Sequence, residues 1–396
     1  MTGSPAPAGG PLAGIRALEV AGLGPTPFTG MMLADMGADV LRLERPTGRT
    51  IRFVPDRYDV PSRGRRSVAI DLKAAGAAEL VLALVRHSDV LIEGYRPGVC
   101  ERLGIGPAPC LAANPRLVYT RITGWGQDGP RAHLGGHDIN YIAATGALSA
   151  IGERDRKPMP PLNLLGDFGG GGMLAVVGTL AALVEVERHG RGQVVDAAMI
   201  DGVTSLLATT YGYASAGVLS PERESNFTDG GAPFYRTYAC AGGGYVAVGA
   251  VEAVFFSRLV QTLGVPIRPE DQQDKARWPE MSQLIGDVFA TRTREEWAAV
   301  FSEVDACVSP VLSFTEAAAD EQVAARATLI TRDGVTQPAP SPRFGATPSE
   351  LGRPPRSPGA DSASALIEWG VPPDEVERLL KAGVVIAAAD TDSSGA

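Results

Sequence analysis

Gly14-Ile15-Arg16-Ala17-Leu18-Glu19-Val20-Ala21-Gly22-Leu23-Gly24-Pro25-Thr26-Pro27, carried on to Asp39-Val40-Leu41-Arg42-Leu43-Glu44, is the stretch on which the fold turns. Residues 15–20 are apolar enough for a buried strand, residues 26–36 place apolar side chains at helical spacing, and residues 39–43 alternate as a second strand. Strand, turn, helix and strand in this order make a βαβ unit. Further strands are expected at 67–70, 89–92 and 117–122, with a helix at 75–87 between them. The first half therefore reads as a doubly wound α/β domain, whose ligands sit beyond the carboxyl ends of its strands.

Beyond Gln193-Val194-Val195-Asp196 a helical stretch carries the chain to about Tyr213, and the polar, glycine-bearing residues 220–231 read as a linker. A second domain follows: a hairpin from residues 236–239 through Gly242-Gly243-Gly244 to 245–249, then helical patterns at 252–263, 279–289 and 294–301. The Pro-rich residues 337–358 form another linker, 374–381 a last amphipathic helix, and 390–396 a disordered tail. Two domains also suit a chain of 396 residues, which exceeds what one hydrophobic core usually supports.

With 44% hydrophobic and 20% charged residues, the composition is that of a soluble globular protein. The opening residues 1–10 have neither a basic flank nor an apolar core, so they fit no secretory or transit signal and the expected location is cytoplasmic. The apolar run 173–184 covers twelve residues, short of the ~20 that a bilayer requires, and reads as a buried helix. Cys100, Cys110, Cys240 and Cys307 show neither a C-x-x-C pair nor a histidine at zinc spacing, so they read as packing residues and no metal site is expected. A net charge of −9 argues against nucleic acid as a partner. Residues 42–73 run against that balance, with nine basic side chains (Arg42, Arg45, Arg49, Arg52, Arg57, Arg63, Arg65, Arg66, Lys73) against four acidic ones. Such a local excess suits a small polyanionic ligand carrying several phosphates; a solvated loop with scattered arginines is the plainer alternative.

Three motifs carry candidate chemistry. Gly22-Leu23-Gly24-Pro25-Thr26-Pro27, with Glu44 further on, stands where a dinucleotide fingerprint would, but Pro27 replaces the third glycine and Pro25 removes an amide. Leu164-Leu165-Gly166-Asp167-Phe168, followed by glycines 169 to 172, puts a carboxylate at the expected N-cap of the apolar helix. Capping alone would explain Asp167, yet four glycines suggest that backbone approaches something closely, such as a substrate. Gly135-Gly136-His137-Asp138-Ile139-Asn140-Tyr141 presents an imidazole in a turn with free amide groups, a setting that also suits a developing oxyanion.

The chain resembles the family III coenzyme A transferases and racemases, the CaiB/BaiF superfamily. The resemblance rests on residues 14–46, Ile70-Asp71-Leu72-Lys73, Glu93-Gly94-Tyr95-Arg96-Pro97-Gly98, Thr123-Gly124-Trp125-Gly126-Gln127 and residues 136–141, 161–172, 190–202, 229–235, 248–252 and 305–311. It implies a Rossmann-like large domain over 1–200 completed by 340–396, a linker helix over 201–228, a small α/β domain over 229–330, a return linker over 331–358, and an interlocked homodimer. Transferases of the family resemble this chain at Asp167, their nucleophile, but lack a histidine at the His137 position. His137 therefore implies a racemase that interconverts (R)- and (S)-2-methylacyl-CoA thioesters, with the family III transferase and a non-catalytic acyl-CoA binder as alternatives.

In that reading His137 and Asp167 exchange a proton across one carbon, Glu252, brought by the small domain of the other subunit, orients the imidazole, and the Asp138 main-chain N–H meets the thioester oxygen. Coenzyme A enters as part of the substrate and no cofactor is implied. Its contacts fall on Arg45, Ile70, Asp71, Leu72, Lys73, Arg96, Arg102, Gly136, Ile139, Asn140 and Tyr141, with Arg63, Arg65 and Arg66 added from charge alone. No membrane partner is expected. Val251-Glu252-Ala253-Val254 and Thr228 depart from the family's usual Ile-Glu-Pro-Gln and Leu, so acyl-chain contacts are expected to differ.

Overall fold

In the computed structural model, which describes residues 9–46 and 54–388, the chain opens with the expected unit: β1 (Arg16–Val20), α1 (Pro25–Asp35) and β2 (Asp39–Glu44). It continues through β3 (Arg65–Ile70), α2 (Ala77–Val85), β4 (Val90–Glu93), α3 (Val99–Arg102), α4 (Pro107–Ala113), β5 (Val118–Thr123) and α5 (Asp138–Ala144). A π-helical segment, Leu164–Met173, runs on into α6 (Leu174–His189), β6 (Gln193–Ala198) and α7 (Met199–Leu206). Then come α8 (Ala208–Ser215), β7 (Tyr235–Ala239), β8 (Tyr245–Gly249), α9 (Ala253–Leu263), α10 (Trp278–Phe289), α11 (Arg294–Ser302), β9 (Val308–Pro310), α12 (Phe314–Ala317) and α13 (Glu321–Ala325). The last elements are β10 (Leu329–Arg332), β11 (Val335–Pro338), α14 (Ser362–Glu368), α15 (Pro373–Lys381) and β12 (Val385–Ile386).

The first of two compact units takes the described residues up to Thr145, Leu162–Leu206 and those from Ala327 onward. Its seven-stranded sheet has the order β12-β3-β2-β1-β4-β5-β6, and every pairing is parallel except β12 with β3. β1 to β5 are buried nearly throughout, and their apolar side chains divide between the two faces, whereas the edge strand β6 is exposed over most of its length. Leu18, Leu41, Leu91 and Tyr119 point into one core with α2, while their neighbours Ala17, Val40, Val90 and Val118 point into the other with α1 and α6. Leu366, Trp369, Val376 and Leu379 bring α14 and α15 into the first core, so the C-terminal segment closes a face that α2 and α4 leave incomplete. Strand order reverses between β1 and β4, which opens a crevice at their carboxyl ends.

The second unit comprises residues 146–161 and 207–326. The expected hairpin, β7 and β8, gains a third antiparallel strand in β9, whose three residues ending in Pro310 leave too short a pattern to read from sequence. Helices α9, α10 and α11 cover this sheet around Phe234, Phe256, Trp278, Phe289 and Trp297.

Several expectations are corrected. Helix does not run through 201–228 as one linker but breaks between α7 and α8, which fall in different units. The hairpin β10–β11 occupies the start of the expected return linker, beginning two residues before it, because Asp333-Gly334 supplies a turn with both residues at positive φ. The apolar helix spans 26 residues, Leu164–His189, and by length and composition alone could cross a membrane. Ala175, Val176, Thr179, Ala182 and Val186 are buried, but Met173, Val177 and Val184 are exposed, so the helix is neither twelve residues long nor wholly buried. All four cysteines are free thiols, and Cys307 is exposed rather than packed.

The basic segment receives the largest correction. Arg65 pairs with buried Glu19 at 3.1 Å, Arg42 lies 3.4 Å from Glu19 and 3.6 Å from Glu44, and Arg63 pairs with Asp35 at 2.6 Å. Arg66 is held by Asp39 and Glu368. These four cations are paired with carboxylates of the protein itself, so the charge that marked Arg63, Arg65 and Arg66 as candidate ligand contacts is answered within the protein; Arg49 and Arg52 lie outside the described residues. Burial pushes the Glu19 carboxyl up, against the attraction of Arg65 and Arg42. Replacing Arg65 by Met should leave that carboxyl under-compensated and cost roughly 3–5 kcal/mol, measured by urea unfolding; an unchanged midpoint would show that the pair holds nothing.

Candidate active site

The crevice predicted by the strand order is a cavity of about 720 Å³. Its walls come from the turn after β1 (Ala21 to Thr26), the loop after β4 (Gly94 to Pro97), the end of β5 and its loop (Ile122 to Trp125), the approach to α5, and Asp167. All of these belong to the first unit. His137 and Asp167, about thirty residues apart in sequence, line this one cavity.

Local geometry presents the imidazole. His137 is the exposed N-cap of α5, in extended backbone (φ −133°, ψ 174°), and its main-chain N–H donates to Asn140 Oδ1 at 3.0 Å. The next residue turns inward: Asp138 is 5% exposed, and its Oδ2 accepts the main-chain N–H groups of Gly166 at 2.6 Å and Asp167 at 2.8 Å. Thus the two motifs are tied to each other by side chain and backbone.

Asp167 is not a cap. The π-helical segment begins after Asn163, and Asp167 lies within its first turn; π geometry is rare and concentrates at functional sites. Asn163 Nδ2 donates to Asp167 Oδ2 at 3.1 Å. Burial raises the Asp167 carboxyl above its ordinary range and the charge of Asp138 adds to this, while the Asn163 bond and His137 oppose it. Nearby, the Tyr141 hydroxyl is pushed up to about 12, chiefly by burial and then by Asp167, with Arg96 opposing. Trp125 meets the Tyr141 ring edge-on, with centroids 4.9 Å apart.

The glycines around Asp167 make room for other parts of the protein rather than for a substrate. A Cβ on Gly170 would lie 2.8 Å from the Val203 main-chain nitrogen, one on Gly171 3.0 Å from Pro25 Cβ, and one on Gly172 2.5 Å from the Phe28 ring. The segment thereby packs against α1 and α7. Gly24, at φ +63°, leaves the gap into which the Asp167 carboxyl fits, since a Cβ there would lie 2.8 Å from Asp167 Oδ2.

Of the proposed coenzyme A contacts, Arg45, Arg96, Gly136, Asn140 and Tyr141 line the cavity, and the Arg45 guanidinium lies 5.7 Å from the Tyr95 ring. Exposed Arg102 and Ile139 do not line it. Nor do Ile70, Asp71, Leu72 and Lys73, at the carboxyl end of β3: Ile70 is buried in the core, Leu72 packs partly against it, and Asp71 Oδ1 accepts the Lys73 main-chain N–H at 3.1 Å. Glu252 belongs to the second unit, as the N-cap of α9. Sequence reading assigned no role to Asn163, Gly24 or Trp125. The spacing of Asn163 four residues before Asp167 was the available signal for the first; Gly24 was hidden inside the failed dinucleotide pattern.

A doubly wound sheet with an imidazole and a desolvated carboxyl at its switch point defines an α/β protein equipped for acid/base or acyl chemistry on a bound ligand. The sequence profile of CoA-transferase family III matches residues 12–362, and the chain belongs to that family. It is 42% identical to the α-methylacyl-CoA racemase of Mus musculus and 40% identical to that of Homo sapiens, in each case over 93% of this chain and 96% of the relative. A crystal structure of a CaiB/BaiF family protein from Brucella suis superposes with a TM-score of 0.79, at 26% identity over 91% of this chain and all of the other.

The raised carboxyl has a measurable consequence for folding. An acid whose pKa is higher in the folded state favours folding while protonated; that contribution is complete below the unfolded value near 3.9 and is lost as pH rises through the folded value. Asp167→Asn should therefore unfold at a higher temperature than the parent protein at pH 7 to 8, with the gain shrinking as pH falls toward 4. A difference in melting temperature that is constant across this range would show that Asp167 is not desolvated.

Proposed function

We propose that this enzyme is an acyl-CoA racemase that interconverts (R)- and (S)-2-methylacyl-CoA thioesters by moving one proton off and another onto the same carbon. The observation that carries this reading is that His137 and Asp167 line a single cavity; similarity to two α-methylacyl-CoA racemases across nearly the whole chain supports it.

The α-proton beside a thioester is weakly acidic, and removing it places negative charge on the carbonyl oxygen, so catalysis needs a base, an acid and an aimed donor. Neutral His137 takes the proton from one face and protonated Asp167 returns one to the other; the reverse reaction exchanges their roles. Burial of Asp167 favours its protonated form nearer neutral pH, where an acid of this kind is useful. The Asp138 N–H, at the start of α5, is the donor proposed for the enolate oxygen. Arg45 and Arg96 at the cavity supply charge for phosphates, and residues 70–73 extend the same edge of the sheet toward the nucleotide. Proton transfer changes no oxidation state, so the reaction calls for no redox cofactor; the reading carries with it a homodimer in the cytoplasm.

Incubating one epimer of a 2-methylacyl-CoA in deuterated water without an acceptor acid tests this. The expected result is α-deuterium incorporation with epimerisation, reduced on the order of 10²-fold in His137→Ala while thioester binding persists. A hydroxylamine-trappable acyl-enzyme without exchange would identify a transferase, with Asp167 as nucleophile. Binding with neither event would leave only an acyl-CoA binder.

A further inference from the structure

Asp138 is buried beside the reacting pair, yet among the described residues no Lys, Arg or His forms an ion pair with it. Its Oδ2 accepts two main-chain N–H bonds, and its Oδ1 is buried without a hydrogen-bond partner. A buried carboxylate with so little compensation is costly. Tying two amides would require only a neutral acceptor such as an asparagine oxygen. The room for the contact is itself specialised, since a Cβ on Gly166 would stand 2.6 Å from Asp138 Oδ2.

We propose, resting on the racemase reading above, that the Asp138 side chain is a positioning residue of the proton transfer. By gripping the Gly166 and Asp167 amides it fixes the direction of the Asp167 carboxyl, and its charge opposes a second negative charge there. The bonds set geometry and the charge sets occupancy by a proton. The titratable groups acting on or beside Asp167 are His137 and Asp138 at the start of α5 and Tyr141 one turn further on; Asn163 contributes a neutral hydrogen bond, and the turn before α1 presents Gly24. Among the described residues only Asp138 combines a direct bond to the Asp167 backbone with a like charge. The adjacency of Asp138 to His137 lets one short turn hold the base and govern its opposite number.

Two substitutions separate bond from charge. Asp138→Asn keeps an oxygen for both amides and removes the charge, whereas Asp138→Ala removes both. The Asp167 carboxyl is followed by ¹³C NMR titration of aspartate-labelled protein, assigned with Asp167→Asn, and α-deuterium exchange is followed against pH. In Asp138→Asn the Asp167 midpoint should move to lower pH, because losing a like charge eases ionisation, and the acid limb of the exchange profile should move with it. Asp138→Ala should lose exchange on the order of 10²-fold through misdirection of the acid. An unmoved Asp167 midpoint in Asp138→Asn, or full exchange in Asp138→Ala, would overturn the proposal. If the parent protein shows no exchange at all, the racemase reading fails, while the titration still judges whether Asp138 governs Asp167.

Discussion

The Asp167 carboxyl occupies a gap that backbone without side chains leaves open. On one side Gly24 would strike it with any Cβ, and on the other the Gly166 amide reaches Asp138 Oδ2. Behind it, glycines 170 to 172 let a helical segment lie directly against α1 and α7. A carboxyl group can be taken partly out of water only if its neighbours approach closely enough to exclude solvent and still satisfy its hydrogen bonds. Here glycine supplies the approach, while Asn163 supplies the bond. The altered acidity of Asp167 follows from that close fit.

The same economy governs the cations. Thirty-six basic residues in a chain of net charge −9 need not signal ligand binding, because a parallel sheet buried on both faces has few places for charge except in pairs. Arg42, Arg63, Arg65 and Arg66 lie in or beside β2 and β3 and find their carboxylates on β1, α1, β2 and α14. Arg45 and Arg96 stand past the strand ends and face the cavity. The paired arginines thus lie within strands or just before them, whereas the two that line the cavity follow strand ends.

Much of the architecture was legible residue by residue. The βαβ unit, the helix after β3, the strands β4 and β5, and the hairpin of β7 and β8 follow from alternation and helical spacing, which are local properties. The less legible parts fail for identifiable reasons. Glycines 169 to 172 looked like a helix start because glycine weakens isolated helices; packing against α1 and α7 overrides that propensity and carries one helix through them. Asp167 consequently looked like a cap, and its partner Asn163 was overlooked. Strand β9 is too short to register.

Hydrophobic periodicity and turn residues were sufficient to mark β1 to β5 and the helices between them, since each depends on neighbours a few positions away, and that alternation implied a doubly wound sheet with a ligand edge; β6 and the antiparallel β12 were not read. The meeting of His137 with Asp167, the capture of the Gly166 and Asp167 amides by Asp138, and the withdrawal of Arg63 and Arg66 into ion pairs were decided by the folded chain. The hydrogen bonds and ion pairs among them join residues separated by 27 to 302 positions, and at such separations spacing carries no information about which atoms will be adjacent.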